Sequence, residues 1–374
     1  MTDAPRLRSL DALRGFDMLF IMGLATLVVK LCAALGHGDC WLAAQMVHPA
    51  WLGLTQHDTI FPLFIFIAGV STPFSIDKQL ASGRTRGRIA LRILWRAAAL
   101  FLLGMVYSGF FKGEPFRFGS VLGRIGIAWA CGAALYLFCG IRTRIAVACG
   151  LLLSYWALNT LVAAPDFPEA GIWTPQGNVV CWFDRAVVSK FSVIRPGTEA
   201  LPFDNQTFLS NAMATVTAML GVFAGEFVRM PGIAGKRKVL GLLSASVVLA
   251  ALGLLIAFGC GRWSFPFSKV LWSPSFTCVV GAYSVGMFAL FYWLVDVAGI
   301  WKNTLFFQVV GLNSITIYLA QPLLGMGNLN KMLFGRFASL FPDPWGGVVL
   351  SATYIAVCWL FLLFLYRRKI FLKV

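Results

Sequence analysis

Charge is scarce in this chain. Only 12% of its 374 residues are Asp, Glu, Lys or Arg, against roughly 25% in soluble domains. With 59% hydrophobic residues and a mean hydropathy of +0.79, an ordinary water-soluble globule is excluded. What remains is a polytopic membrane protein. Acidic residues are the scarcer sign, 15 against 31 basic. The resulting charge of +16 reads first as a topology signal, not as a nucleic-acid surface. Histidine is nearly absent, with 3 residues. No cysteine or histidine spacing suggests a metal site, so none is assigned. Nothing repeats internally, which disfavours an inverted-repeat transporter.

Long apolar runs fill the space that charge leaves. They fall at about 15–35, 59–77, 90–111, 120–140, 145–163, 206–228, 238–258, 274–297, 304–325 and 346–366. Each is roughly 19–24 residues, enough for ~30 Å of hydrocarbon. The expected fold is therefore all-α: a helix bundle of about ten transmembrane helices, forming one membrane domain over 1–374. The N-terminus stays polar to about Arg14, so no cleavable leader is expected.

Loop charge sets the expected orientation. With the N-terminus in the cytoplasm, the cytoplasmic segments hold Arg6, Arg8, Arg14, Lys78, Arg84, Arg86, Arg88, Arg92, Arg96, Arg142, Arg144, Arg229, Lys236, Arg237, Lys238, Lys302, Arg367, Arg368, Lys369 and Lys373. That is about 20 of the 31 basic residues. Asp39, Asp58, Glu114, Asp166, Glu169, Asp184, Glu199, Asp204 and Asp343 fall on the other side. Both termini are expected in the cytoplasm, with His37, His48 and His57 facing outward. The long loop at about 164–205 is then outward too. Trp173, Trp182 and Phe183 lie near its charges, so an ordered cap is expected. Cys131, Cys139, Cys149, Cys278 and Cys358 read as small packing residues within helices. Cys40, Cys181 and Cys260 fall outside, where a disulfide is open to them.

Few residues can carry chemistry. His48 sits before the second apolar run, beside Pro49 and Trp51. Imidazole titrates near neutrality and serves as a general base or as a carrier of an acyl group. A loop histidine bonded to a carbonyl is the plainer alternative. Asp58 opens the apolar run, where it would cap the helix, orient His48, or do both. Asp11, Arg14 and Asp17 share one face of the first helix. Arg124 lies inside the fourth run, where a charge costs roughly 2.5–3.5 kcal/mol on insertion scales and is paired or functional. Asn178, Asp184 and Arg185 cluster in "PQGNVVCWFDR". Asn313 lies within the ninth run, as an interhelical hydrogen-bonding group or a site residue. Together these polar groups suggest a cavity opening outward.

The stretches "RLRSLDALRG", "HPAWLGLTQHDTIFPLFIFIAGVS", "PQGNVVCWFDR", "LWSPSFTCVVGAYSVGMFALFYWLVD" and "VVGLNSITIYL" follow one another along nearly the whole chain. In that order they resemble the transmembrane acetyltransferases related to heparan-alpha-glucosaminide N-acetyltransferase. The most specific motif is carried here by His48, Trp51, Gly53, Leu54, Thr55, Asp58, Phe61 and Pro62. The resemblance implies transfer of acetyl from acetyl-CoA to an amino sugar, with His48 as base or acetyl carrier. From their own positions, Asp58 and Arg124 are expected as its catalytic companions. Trp51, Asn178, Asp184, Arg185 and Asn313 are expected on the substrate side, and Arg124 and Asn313 toward acetyl-CoA. His57 is left out of the catalytic core.

Some positions depart from the family pattern. Leu52 replaces an asparagine, Gly123 replaces a glutamine, and no asparagine occurs from 15 to 47. A bacterial inner-membrane chain facing the periplasm would then take a glucosamine-type saccharide or one of cell-wall or chitin origin. The expected partners are that saccharide and the lipid bilayer, with no nucleic acid; a homodimer is left open. The rival reading is a transporter or exporter of amino sugars or their oligomers, without covalent chemistry.

Overall fold

The computed structural model describes residues 7–110, 116–192 and 204–372. Arg6, Glu114, Glu199 and Lys373 of the charge map lie outside the described residues, as does part of the 164–205 loop. The protein is all-helical. In chain order come α1 (Arg8–Ala34), the short α2 (Trp41–Ala44), α3 (Gln56–Ala81), α4 (Arg86–Tyr107), α5 (Val121–Phe138) and α6 (Ile141–Leu161). Then follow the short α7 (Val179–Ala186), α8 (Asn211–Arg229), α9 (Gly235–Gly259) and α10 (Pro274–Val297). The chain closes with α11 (Leu305–Leu312), α12 (Ser314–Leu323), α13 (Met326–Ala338) and α14 (Trp345–Arg367). Nine of these, among the described residues, are long and apolar enough to cross a membrane.

The ninth apolar run is present but broken. It forms α11 and α12, separated at Asn313 (φ −118°, ψ 23°). The cause is local competition for one carbonyl. The Asn313 side-chain amide donates to Val309 O at 3.4 Å, the acceptor its own backbone N–H would use in an α-helix. That N–H turns instead to Val310 O at 3.1 Å. Hydropathy cannot see such an exchange, because the run as a whole stays apolar.

The chain divides into two compact units. One holds, of the described residues, 7–49, 55–60 and 287–372. Inside it, α1 and α11 touch through their backbones. A Cβ on Gly15 would fall 1.9 Å from the Phe307 carbonyl oxygen, and one on Gly311 would fall 2.2 Å from that of Asp11. Small residues let membrane helices approach this closely. Further along, α1 loosens into a π-turn at Phe20–Leu24 around Gly23, whose φ of 114° only glycine tolerates. At the start of α1 the Ser9 hydroxyl donates to Asp296.

The other unit holds residues 50–54 and 61–286. Here α3 and α8 meet through Gly69, Gly221 and Gly225. A Cβ on Gly221 would lie 2.1 Å from Phe66 O, and one on Gly69 would lie 2.1 Å from Ala218 O. Charges brace the basic ends of these helices. The Tyr136 hydroxyl donates to the Asp77 carboxylate at 2.9 Å, which also pairs with Arg229. Arg144 makes a two-pronged pair with Glu226 at 2.7 and 2.8 Å. Asp77 and Glu226 explain how partly buried arginines persist at helix ends.

Candidate functional site

The first turn of α3 has four backbone donors without partners in its own helix, and the preceding loop supplies them. Gln56 N–H donates to the Gln45 side-chain oxygen at 2.9 Å. His57 N–H donates to Gln45 O and Asp58 N–H to Thr55 O, at 3.0 and 3.1 Å. Asp58 then reaches back, its Oδ2 accepting from Thr55 N–H at 3.0 Å. The Thr55 hydroxyl lies 3.1 Å from the same oxygen and 2.9 Å from Val47 O. This is one arm of a capping box, with Thr55 as cap and Asp58 three residues on; the reciprocal arm is replaced, since Asp58 N–H goes to the Thr55 carbonyl and not to its hydroxyl. Asp58 is thus not the first cap residue but the carboxylate that closes the box. An anion here also suits the positive end of the helix.

That arrangement leaves Oδ1 of Asp58 for His48. Imidazole Nδ1 lies 2.7 Å from it. Asp58 is fully buried, while the His48 side chain is 47% exposed. A fixed carboxylate behind and an open ring in front is how an oriented base is built. The His57 ring packs beside His48, with centroids 4.4 Å apart. Of the two residues that position this pair, Gln45 was missed in the sequence, and Thr55 was counted in the motif without a role. The Thr-x-x-Asp spacing was the available signal for Thr55; nothing marked Gln45.

In the same unit, Arg14 lies 3.7 Å from Asp11, while Asp17 is buried at 1% exposure. Asn313 is equally buried. Its Oδ1 and Asp17 Oδ2 have no hydrogen-bond partner among the described residues.

The remaining predicted residues belong to the other unit. Trp51 donates its indole N–H to Trp173 O at 2.6 Å, tying its segment to the long loop. Arg124 is buried and spends Nη2 on Thr207 O and Ser210 Oγ, at 3.0 and 2.6 Å. Its guanidinium lies 5.0 Å from the centre of the Trp272 ring. It thereby braces the residues that start α8. Asn178 caps α7, its Oδ1 accepting from Val180 N–H at 3.0 Å. Its amide donates to Asn159 Oδ1 and Ile172 O, at 3.1 and 3.0 Å. Arg185 clasps Asp166 at 2.9 and 3.0 Å, and donates to the Pro175 and Gln176 carbonyls at 3.0 and 2.8 Å. The described part of the 164–205 loop is thus folded around α7. Arg117 and Asp204, a two-pronged pair at 2.7 and 2.5 Å, were not picked out in the sequence.

Asp184, outside the spanning helices, is fully buried and accepts from Phe208 N–H at 3.0 Å through Oδ1. Burial pushes its carboxyl up to about 7. The unfolded value is about 3.9. Stability from the neutral carboxyl is therefore complete below about pH 4 and lost as pH rises through about 7. The melting temperature in detergent should fall between pH 5 and pH 8, reflecting on the order of a few kcal/mol. Asp184→Asn should flatten that fall. A variant with the wild-type slope would place the titration elsewhere.

No group of three or more His, Cys, Asp or Glu side chains among the described residues is placed to hold a metal ion.

Spanning helices, with an imidazole–carboxylate pair at the mouth of one of them, define a polytopic α-helical membrane protein. No protein-family model matches the chain. Its curated homologues are proteins named heparan-alpha-glucosaminide N-acetyltransferase, and they support that family. The Homo sapiens protein is 24% identical over 430 aligned positions, covering 99% of this chain and 60% of the relative. The Mus musculus protein is 23% identical over 434 positions, covering 100% of this chain and 61% of the relative. The chain thus spans about 60% of the length of the curated relatives it matches.

Proposed function

We propose that this chain is a membrane-embedded acetyltransferase that moves acetyl from acetyl-CoA to an amino sugar, with His48 as the reacting base. The observation that carries this is the 2.7 Å contact between His48 Nδ1 and a buried, doubly anchored Asp58. The names of the relatives support the reaction class.

With Nδ1–H held by Asp58, the lone pair lies on Nε2. An ammonium acceptor gives its proton to Nε2, and the Asp58 charge stabilises the imidazolium. The freed nitrogen bonds to the thioester carbonyl carbon. The tetrahedral oxyanion collapses and the C–S bond breaks as the proton on His48 passes to the CoA sulfur; the freed Nε2 then takes the second proton from the attacking nitrogen, leaving a neutral amide, and releases it to solvent. The same geometry serves a route in which Nε2 first takes the acetyl group and later yields it to the acceptor.

Asn313 shares its unit with His48 and enters as a candidate oxyanion donor and acetyl-CoA-side group; the sequence pattern alone carries Arg124 and Asn178 as oxyanion candidates and Arg124 as an acetyl-CoA-side group. Arg124 and Asn178 are bonded to the chain itself, which supports bracing more than direct contact. Trp51, Asp184 and Arg185 belong to the acceptor side. Loop charge supports cytoplasmic termini with His48 on the opposite face; in the proposal the membrane is a bacterial inner membrane and that face is periplasmic.

Purified protein with labelled acetyl-CoA and a panel of amino sugars tests this directly. Label should appear on a glucosamine-type acceptor. Acetyl-CoA at about 100 times its Kd should stabilise the protein by about 2.7 kcal/mol and raise its melting temperature. No thermal shift at millimolar acetyl-CoA and no labelled sugar would sink the proposal. Solute uptake into vesicles without acetyl-CoA would then favour the transporter.

A further inference from the structure

The end of α1 is built to bring two cysteines together. Gly36, at φ 79°, closes the helix in a Schellman turn. Its N–H bonds Ala33 O at 3.0 Å, and the next N–H, of His37, bonds Cys32 O at 2.8 Å. The chain then folds back, and Cys40 N–H bonds His37 O at 3.1 Å. Three backbone hydrogen bonds thus return Cys40 to the last turn of α1. There the side chains of Cys32 and Cys40 come close enough to interact.

The two thiols are not equivalent. Cys32 is buried and Cys40 is partly exposed. The Cys40 sulfur also accepts from Ala43 N–H at 3.5 Å. That N–H first, and the Cys32 thiol after it, draw the Cys40 thiol below its ordinary range. A partly exposed thiol drawn below its ordinary range, beside a second, shielded thiol, is the usual layout of attacking and resolving cysteines.

We propose that Cys32 and Cys40 form a dithiol–disulfide site whose oxidant is a disulfide-bearing thiol compound. The Cys40 thiolate attacks one sulfur of the oxidant, expelling a thiolate and forming a mixed disulfide. Cys32 loses its proton and attacks the Cys40 sulfur. The Cys32–Cys40 bond forms and the second thiolate leaves. Two protons and two electrons leave the protein, and the oxidant ends as two thiols. The bond ties the stretch that leads to His48 onto α1. The site stands independently of acetyl transfer.

The intact protein in detergent, equilibrated with oxidised glutathione, provides the test. After quenching by alkylation, the tryptic peptide 31–78 is weighed; Cys32 and Cys40 are its only cysteines. It should be two hydrogens lighter than the thiol form and carry no alkyl group. Dithiothreitol should restore two alkylated thiols. In Cys40→Ser the loss of two hydrogens should disappear. The proposal is overturned if both thiols remain alkylated across the glutathione titration. It is equally overturned if a glutathione adduct persists on Cys40, or if Cys40 cross-links to Cys181 or Cys260.

Discussion

His48→Ala is expected to insert and fold normally while turnover falls at least ~10²-fold, the lower range for loss of a general base. The ring is 47% exposed and carries little of the packing that holds a membrane helix bundle together. Acetyl-CoA binding should survive, because most of its surface is nucleotide and pantetheine. Asp58→Asn should also lose turnover, since an amide can hold the wrong imidazole tautomer and cannot balance an imidazolium. Unlike His48→Ala, it should also lose stability by about 1 kcal/mol through the capping box. His57→Ala should lose far less activity than His48→Ala. Steady-state transfer and thermal melts on the same preparations separate these effects. Wild-type turnover in His48→Ala would leave His48 as an interfacial loop residue.

Replacing Gly221 by leucine should do more damage than any change at the site. A Cβ there meets Phe66 O at 2.1 Å, and backbone cannot swing aside as a side chain can. Overpacking costs ~1–3 kcal/mol where side chains can yield; here the cost should reach or exceed the top of that range. Gly221→Leu should give no monodisperse peak on size-exclusion chromatography. Gly150→Ala is the matched control. No atom lies within 4 Å of its added Cβ, so it should fold and melt at or slightly above the wild-type temperature. If both variants behaved alike, helix propensity and not the α3–α8 approach would govern tolerance to glycine replacement.

The spans were readable because lipid imposes one requirement, sustained apolarity, on every spanning helix. The nine long helices lie close to runs marked on hydropathy alone. The break at Asn313 was not readable, since it depends on which of two donors takes Val309 O. At the site, the placement of His48 and Asp58 around one helix start was apparent from their motif. The capping box was less so: Asp58 was weighed as the cap itself, when Thr55 holds that place. Arg117 with Asp204, and Arg185 with Asp166, join charges far apart in sequence. No local pattern announces such a pairing, and hydropathy is silent on it. Asn178 and Arg124 stood out as polar groups in apolar company, but their partners, the Asn159 side chain and Thr207 O, depend on tertiary folding.

The two oxygens of Asp58 face different constituencies. Oδ2 serves the helix through Thr55, and Oδ1 serves the imidazole. A mutational scan scored once for expression and once for activity should therefore give different answers at His48 and concordant ones at position 58. The same tie limits redesign. An engineer seeking a sturdier enzyme has little to gain at position 58 itself, because any gain in helix closure there is drawn from the same carboxylate that aims the ring. Room for improvement lies one step back, at Gln45 and Thr55. These two residues hold the first turn of α3 in place without touching a reacting atom.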